Sequence, residues 1–145
     1  MGIAAVTPPF SLVVLCAAVA CDSEERSSCV DDLPLECAPL YDPPIYDTLF
    51  ERTFRPTCAS GMGTCHTSDA AKAGLVFEDA DTAYSLLLGD EGGRVRVVPG
   101  DPACSLLMIR LEGDSPTFRM PPGPNALSAA ERCAISKWIA AGAER

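Results

Sequence analysis

The chain has 145 residues and a formal net charge of -9, with 20 acidic side chains against 11 basic ones and a single histidine. Once the apolar N-terminal segment is set aside, that length supports one domain with a modest core rather than two. An acidic surface repels nucleic-acid phosphates, which excludes a nucleic-acid partner, and it favours docking partners that present a basic patch.

Residues 1 to 20 contain no charged side chain, and the run from Phe10 to Ala20 is apolar, too short to span a bilayer as a helix, and ends in small residues. It reads as an export signal. The residues Ala18-Val19-Ala20-Cys21 resemble the lipobox of bacterial lipoproteins, in which the cysteine is acylated and becomes the new N-terminus. Cys21 is therefore the expected lipid anchor, although leucine is commoner at the first of these positions and no Lys or Arg precedes the apolar run. The alternative is an ordinary signal peptide that leaves Cys21 free to pair. The expected location is the periplasm or the outer face of a bacterial membrane, lipid-anchored, or else the secreted fraction.

Residues 21 to 44 are acidic and rich in proline and read as a tether that lifts the domain off the membrane. Within it, Cys29 and Cys37 are spaced to close a small loop around Asp31 to Pro34. With Cys16 in the signal and Cys21 at the lipid site set aside, six of the eight cysteines remain, and an even count in an exported chain suits disulfides or thioethers. Sequence alone does not choose among the possible pairings. If Cys104 pairs with Cys133, the closed loop of about 30 residues stabilises the fold by roughly 3 to 4 kcal/mol.

The first periodic element runs from about Thr48 to Arg55, where Leu49, Phe50 and Phe54 share a helical face, with Asp47 as N-cap and Pro56 as stop. A cysteine loop follows, Cys58-Ala59-Ser60-Gly61-Met62-Gly63-Thr64-Cys65-His66, in which glycines permit a tight path. After a short extended piece at Gly74 to Phe77, the spacing predicts a second helix over Asp81 to Leu88, with Ala83, Leu86 and Leu87 inward and Gly89 as its end. Arg94 to Val98 alternates like a strand but has no partner strand, so it reads as an extended connection. Asp101-Pro102 is a helix start, and a third helix is predicted from Pro102 to about Glu112, with Met108 as a core residue.

The loop from Gly113 to Asn125 carries Met120-Pro121-Pro122-Gly123-Pro124, whose prolines restrict the backbone around the methionine. The last helix is the best signalled. Ser128-Ala129-Ala130-Glu131 has the form of a capping box, and Ile135, Trp138 and Ile139 line a face that requires burial.

The only histidine, His66, directly follows Cys65. In c-type haem attachment this adjacency has a geometric cause: a cysteine sulfur adds to a vinyl group at the ring edge and thereby sets the next imidazole beneath the iron. A second axial ligand is then required, and Met120 is the candidate because it lies far along the chain on a proline-stiffened loop. Met62 lies inside the cysteine loop itself. Zinc is the competing reading of Cys58, Cys65 and His66, but adjacent residues rarely both reach one tetrahedral ion and no Cys-x2-Cys pair is present. No pair of carboxylates is arranged for hydrolysis, so the chain is not read as an enzyme.

From Leu49 to Ala143 the order of features resembles the small cytochrome c domains of the planctomycete type, also common in exported myxobacterial proteins. An aromatic-bearing helix leads into Cys65-His66, then Gly74-Leu75, Val98-Pro99-Gly100-Asp101 with Ser105-Leu106 and Arg110, Met120-Pro121, Leu127-Ser128, and Trp138-Ile139 with Gly142-Ala143. The resemblance implies an all-α, cytochrome c-like domain over residues 45 to 145, made of about four short helices with long loops and stabilised by disulfides. It implies haem c as cofactor, bound covalently by Cys65 and, where the loop allows, Cys58, with His66 and Met120 as axial ligands. The helices around Leu49 and Trp138 are expected to cross and pack.

One departure stands out: the family has two residues between its cysteines, whereas Cys58 and Cys65 enclose six. Two thioethers, one thioether from Cys65, or a Cys58 to Cys65 disulfide without haem all remain open. The function implied is extracytoplasmic electron transfer with a redox partner protein. The alternative is a haem-free, disulfide-stapled binding or structural module.

Overall fold

The structure is a computed structural model that describes residues 1–2, 29–60, 64–89, 95–114 and 118–145. The export signal, Cys21, Met62 and Arg94 lie outside the described residues. Among the described residues the fold is all-α. The described residues form four α-helices and no strand, with an isolated bridge between Val98 and Asp101. No described helix is long and apolar enough to cross a membrane.

Helix α1 covers Tyr46–Leu49 and continues without a break into a π-helical segment, Phe50–Ala59. Tyr46, Leu49, Phe50, Thr53 and Phe54 are all buried, so the apolar face read from the sequence is the face that packs. Both predicted ends differ. Ile45 occupies the N-cap without a side-chain bond, while Asp47 is the second residue of the first turn. Pro56 does not stop the helix, because the wider i to i+5 winding gives its ring room that an α-turn would deny it. Just beyond, the Ser60 hydroxyl donates to the carbonyls of Arg55 and Pro56, at 3.2 and 3.3 Å, and so satisfies orphan acceptors at the helix end.

Helix α2 spans Ala80–Leu88, one residue longer than expected, because Asp79 takes the N-cap and accepts from the Thr82 backbone N–H at 2.9 Å. Helix α3 covers Leu106–Glu112 and starts later than predicted. Asp101 does cap, but it caps a turn: its Oδ1 accepts from Cys104 N at 3.1 Å, and Ser105 then adopts an extended conformation before the helix proper begins. Helix α4, Ala129–Ala140, has the full reciprocal capping box between Ser128 and Glu131.

The core is an aromatic cluster joining α1, the π-segment and α4. The Trp138 ring lies 5.6 Å from Tyr46 and 6.5 Å from Phe54, and Phe54 stacks on Phe77 at 5.2 Å. Helices α1 and α4 thus pack as the resemblance implies. The polar tips are satisfied at the edge of the cluster, with Trp138 Nε1 donating to the Glu144 carbonyl at 2.7 Å and the Tyr46 hydroxyl to Ala80 at 2.8 Å. Met108 is fully buried.

The disulfide stabilisation is present, but with other partners than the local ones considered from the sequence. Cys29 is bridged to Cys104 and Cys37 to Cys133, so neither a Cys29–Cys37 loop nor a Cys104–Cys133 staple forms. The reason is that the stretch before α1 folds back along the helical body. Val30 N donates to the Ala103 carbonyl at 2.8 Å and Leu40 N to the Ala130 carbonyl at 2.9 Å, which brings each N-terminal cysteine against a different helix start. Of the acidic tether, residues 29 to 44 are therefore fastened to the domain at two points.

Candidate functional site

An open cleft lies beside the aromatic core. Its walls are mostly apolar, with Phe54, Phe77 and Leu87 from the core side and Leu75, Leu107, Leu111 and Leu127 around them. Cofactor sites are commonly clefts with apolar walls and a few polar groups.

Cys58, Cys65, His66 and Met120 all line this one cleft, although 62 positions separate the first from the last. Each arrives from a different device. Cys58 sits near the end of the π-segment, and Cys65 and His66 lie in the 3-10 turn Thr64–His66. Met120 is delivered by the proline loop, which is tied to α3. Its backbone N–H donates to the Arg110 carbonyl at 2.8 Å, and the Arg110 guanidinium covers the Phe118 ring at 4.0 Å.

His66 is held on three sides. Its Nδ1 is 3.1 Å from the Leu75 carbonyl, its ring meets Phe77 edge-on at 5.7 Å, and its own carbonyl accepts from Phe77 N at 2.8 Å. A carbonyl only accepts, so Nδ1 carries the proton and Nε2 is left with the lone pair, the tautomer suited to ligating a metal. Burial pushes the imidazole pKa below its usual 6.5, with the Arg96 charge adding to the effect, while the carbonyls of Leu75 and Lys72 oppose it. The ring is accordingly neutral at neutral pH.

Cys58 and Cys65 are free thiols. The Cys58–Cys65 disulfide held open from the sequence does not form. Burial pushes the Cys58 thiol up to about 12, with the neighbouring Cys65 adding to it, so Cys58 stays protonated. That disfavours the thiolate pair that zinc requires. Among the described residues no group of three or more His, Cys, Asp or Glu side chains is placed to hold a metal ion.

The cleft is also lined by Arg110, which belongs to the family pattern, and by two groups that the sequence did not flag, Lys72 and Arg96. Arg96 was hidden because strict alternation assigns Val95 and Val97 to one face and the arginine to solvent. The structure instead buries Arg96 and Val97 and leaves Val95 46% exposed. The signal available was an arginine inside a valine run with no nearby apolar alternative.

Fold and cleft together define a small, all-α, disulfide-stabilised domain with an open, largely apolar cleft. Residues 63–124 match the family described as Planctomycete cytochrome C, in agreement with the resemblance carried by Cys65-His66 and Met120-Pro121. The matched stretch contains Cys65, His66, Arg96, Arg110 and Met120 and begins after Cys58. No curated protein and no solved structure matches the chain.

Proposed function

We propose that this domain transfers single electrons outside the cytoplasm through one covalently bound haem c and has no substrate turnover of its own. The observation that carries this reading is the convergence of both free cysteines, the only histidine and Met120 on a single apolar cleft. The residues fit the group in kind: a neutral imidazole oriented by backbone carbonyls, a thioether sulfur on an anchored loop, and two cysteines clear of any disulfide.

Haem, when bound, supplies the one-electron couple. His66 would be the proximal ligand, kept in its tautomer by the Leu75 carbonyl, and Met120 the distal one, a pairing that raises the reduction potential. Cys65 would provide the thioether beside His66. The family's two-residue interval would put the first cysteine at position 62, where this chain has Met62, so Cys58 would supply any second thioether from four residues further back. The leucine and phenylalanine walls would exclude water from the porphyrin faces.

Export, acylation of Cys21 and docking of a redox partner through a basic patch belong to the same proposal, supported by the uncharged leader and the net charge of -9. A host with haem-attachment machinery provides the test. The exported protein should be coloured, show a reduced α band at the c-type position, and keep its colour through acid-acetone extraction. Colourless protein would leave the haem-free module as the reading.

A further inference from the structure

The chain carries 20 acidic side chains against 11 basic ones, yet the cleft shows the reverse. Lys72, Arg96 and Arg110 line it, and no Asp or Glu does among the described residues. Arg96 is the unusual member, being only 7% exposed. The ion pairs among the described residues use Arg55, Arg132 and Arg145, and none neutralises Arg96.

What holds Arg96 is backbone. One terminal nitrogen donates to the Leu86 carbonyl and the other to the Ala73 carbonyl, each at 2.7 Å. Carbonyls fix the plane of the guanidinium without cancelling its charge, and each terminal nitrogen keeps a second N–H for another acceptor. The loop that supplies Ala73 is itself strained, with the non-glycine residues Ala71 and Ala73 at φ 38 and 55 and Gly74 at φ 68. Left-handed alanines persist where the surroundings impose them, and they gather at functional sites. Here the strained turn hands the Ala73 carbonyl to Arg96 and, two residues later, the Leu75 carbonyl to His66, so one loop sets both side chains.

A buried cation with no counter-charge is unfavourable unless a ligand brings the negative group. A guanidinium matches a carboxylate in plane and donor spacing. We propose that Arg96 is a carboxylate seat: it receives an acidic side arm of the porphyrin and fixes the ring's rotation in the cleft, with Lys72 and Arg110 compensating any remaining negative charge. This rests on the haem reading above and adds to it a positioning residue outside the axial ligands and cysteines.

The test uses the full chain produced without haem attachment and titrated, by quenching of Trp138 fluorescence, with metal-free protoporphyrin IX and separately with its dimethyl ester. The free acid should bind at least about tenfold tighter than the ester. Arg96→Gln should bring the two affinities together by weakening the acid alone, and Arg96→Lys should restore part of the difference. Equal binding of acid and ester by the wild-type chain would overturn the seat while leaving the haem reading intact, and it does so whether or not the Arg96 variants fold. No binding of either porphyrin, with colourless protein from a haem-attaching host, would overturn both.

Discussion

The His66 imidazole is tied through Nδ1 to the carbonyl of Leu75, nine residues along the chain, at 3.1 Å. The bond closes the loop that contains the strained 71–74 turn, so the polar contact that orients the only histidine comes from backbone, with the Phe77 ring packed edge-on against it. His66→Ala should therefore leave the aromatic core folded but yield protein without a stable c-type spectrum. A wild-type spectrum in that variant, recorded beside its thermal unfolding curve, would remove His66 from the site.

Met120 should behave differently. Met120→Ala removes a thioether sulfur from a loop that stays anchored through the Arg110 carbonyl and the Arg110–Phe118 contact. Haem attachment should persist, the midpoint potential should fall, and the iron should open to added imidazole or cyanide. An unchanged potential in redox titration excludes Met120 as a ligand.

The two disulfides join residues 75 and 96 positions apart, far more than a local loop. Cross-links over such separations restrict the unfolded chain strongly, by about 4 to 5 kcal/mol for either bridge taken singly on a chain-entropy estimate and less where the two loops overlap. Replacing Cys29 and Cys104 together by alanine should lower stability by about 2 to 4 kcal/mol in denaturant titration. A loss below about 0.5 kcal/mol would mean that the N-terminal strap adds little to the helical body.

Asp79 caps α2 through bonds from the Thr82 N–H and hydroxyl, and these hold its carboxyl below the usual 3.8. A depressed carboxylate stabilises the fold above the unfolded pKa, and that contribution is lost as pH falls below 3.8 toward the folded value. Asp79→Asn keeps an N-cap acceptor but cannot titrate, so its stability should fall less steeply than wild type between pH 4 and pH 2. Parallel curves for the two proteins would contradict this.

Local rules succeeded where the cause is local. The Ser128/Glu131 capping box was legible because both partners lie within one turn, and the burial of Ile135, Trp138 and Ile139 because their spacing alone sets one apolar helix face. Pro56 misled because a wider helical winding accommodates it, and Asp101 misled because the same capping chemistry closes a turn as readily as it starts a helix.

The site was legible in its residues and illegible in its frame. The Cys65-His66 adjacency and the proline after Met120 singled out groups that the fold does bring to one cleft. The disulfide partners followed from a strap folding back over two helix starts, a nonlocal event with no short sequence mark. Arg96 escaped because burial of a charge depends on two carbonyls supplied from elsewhere, at Ala73 and Leu86.

Peptide mass analysis of protein exported from a haem-attaching host tests the redox assignment most directly. The peptide containing Cys65 and His66 should carry the added mass of one haem, either alone or cross-linked through the porphyrin to the peptide containing Cys58. Unmodified Cys58 and Cys65, or the two bridged to each other, would contradict it.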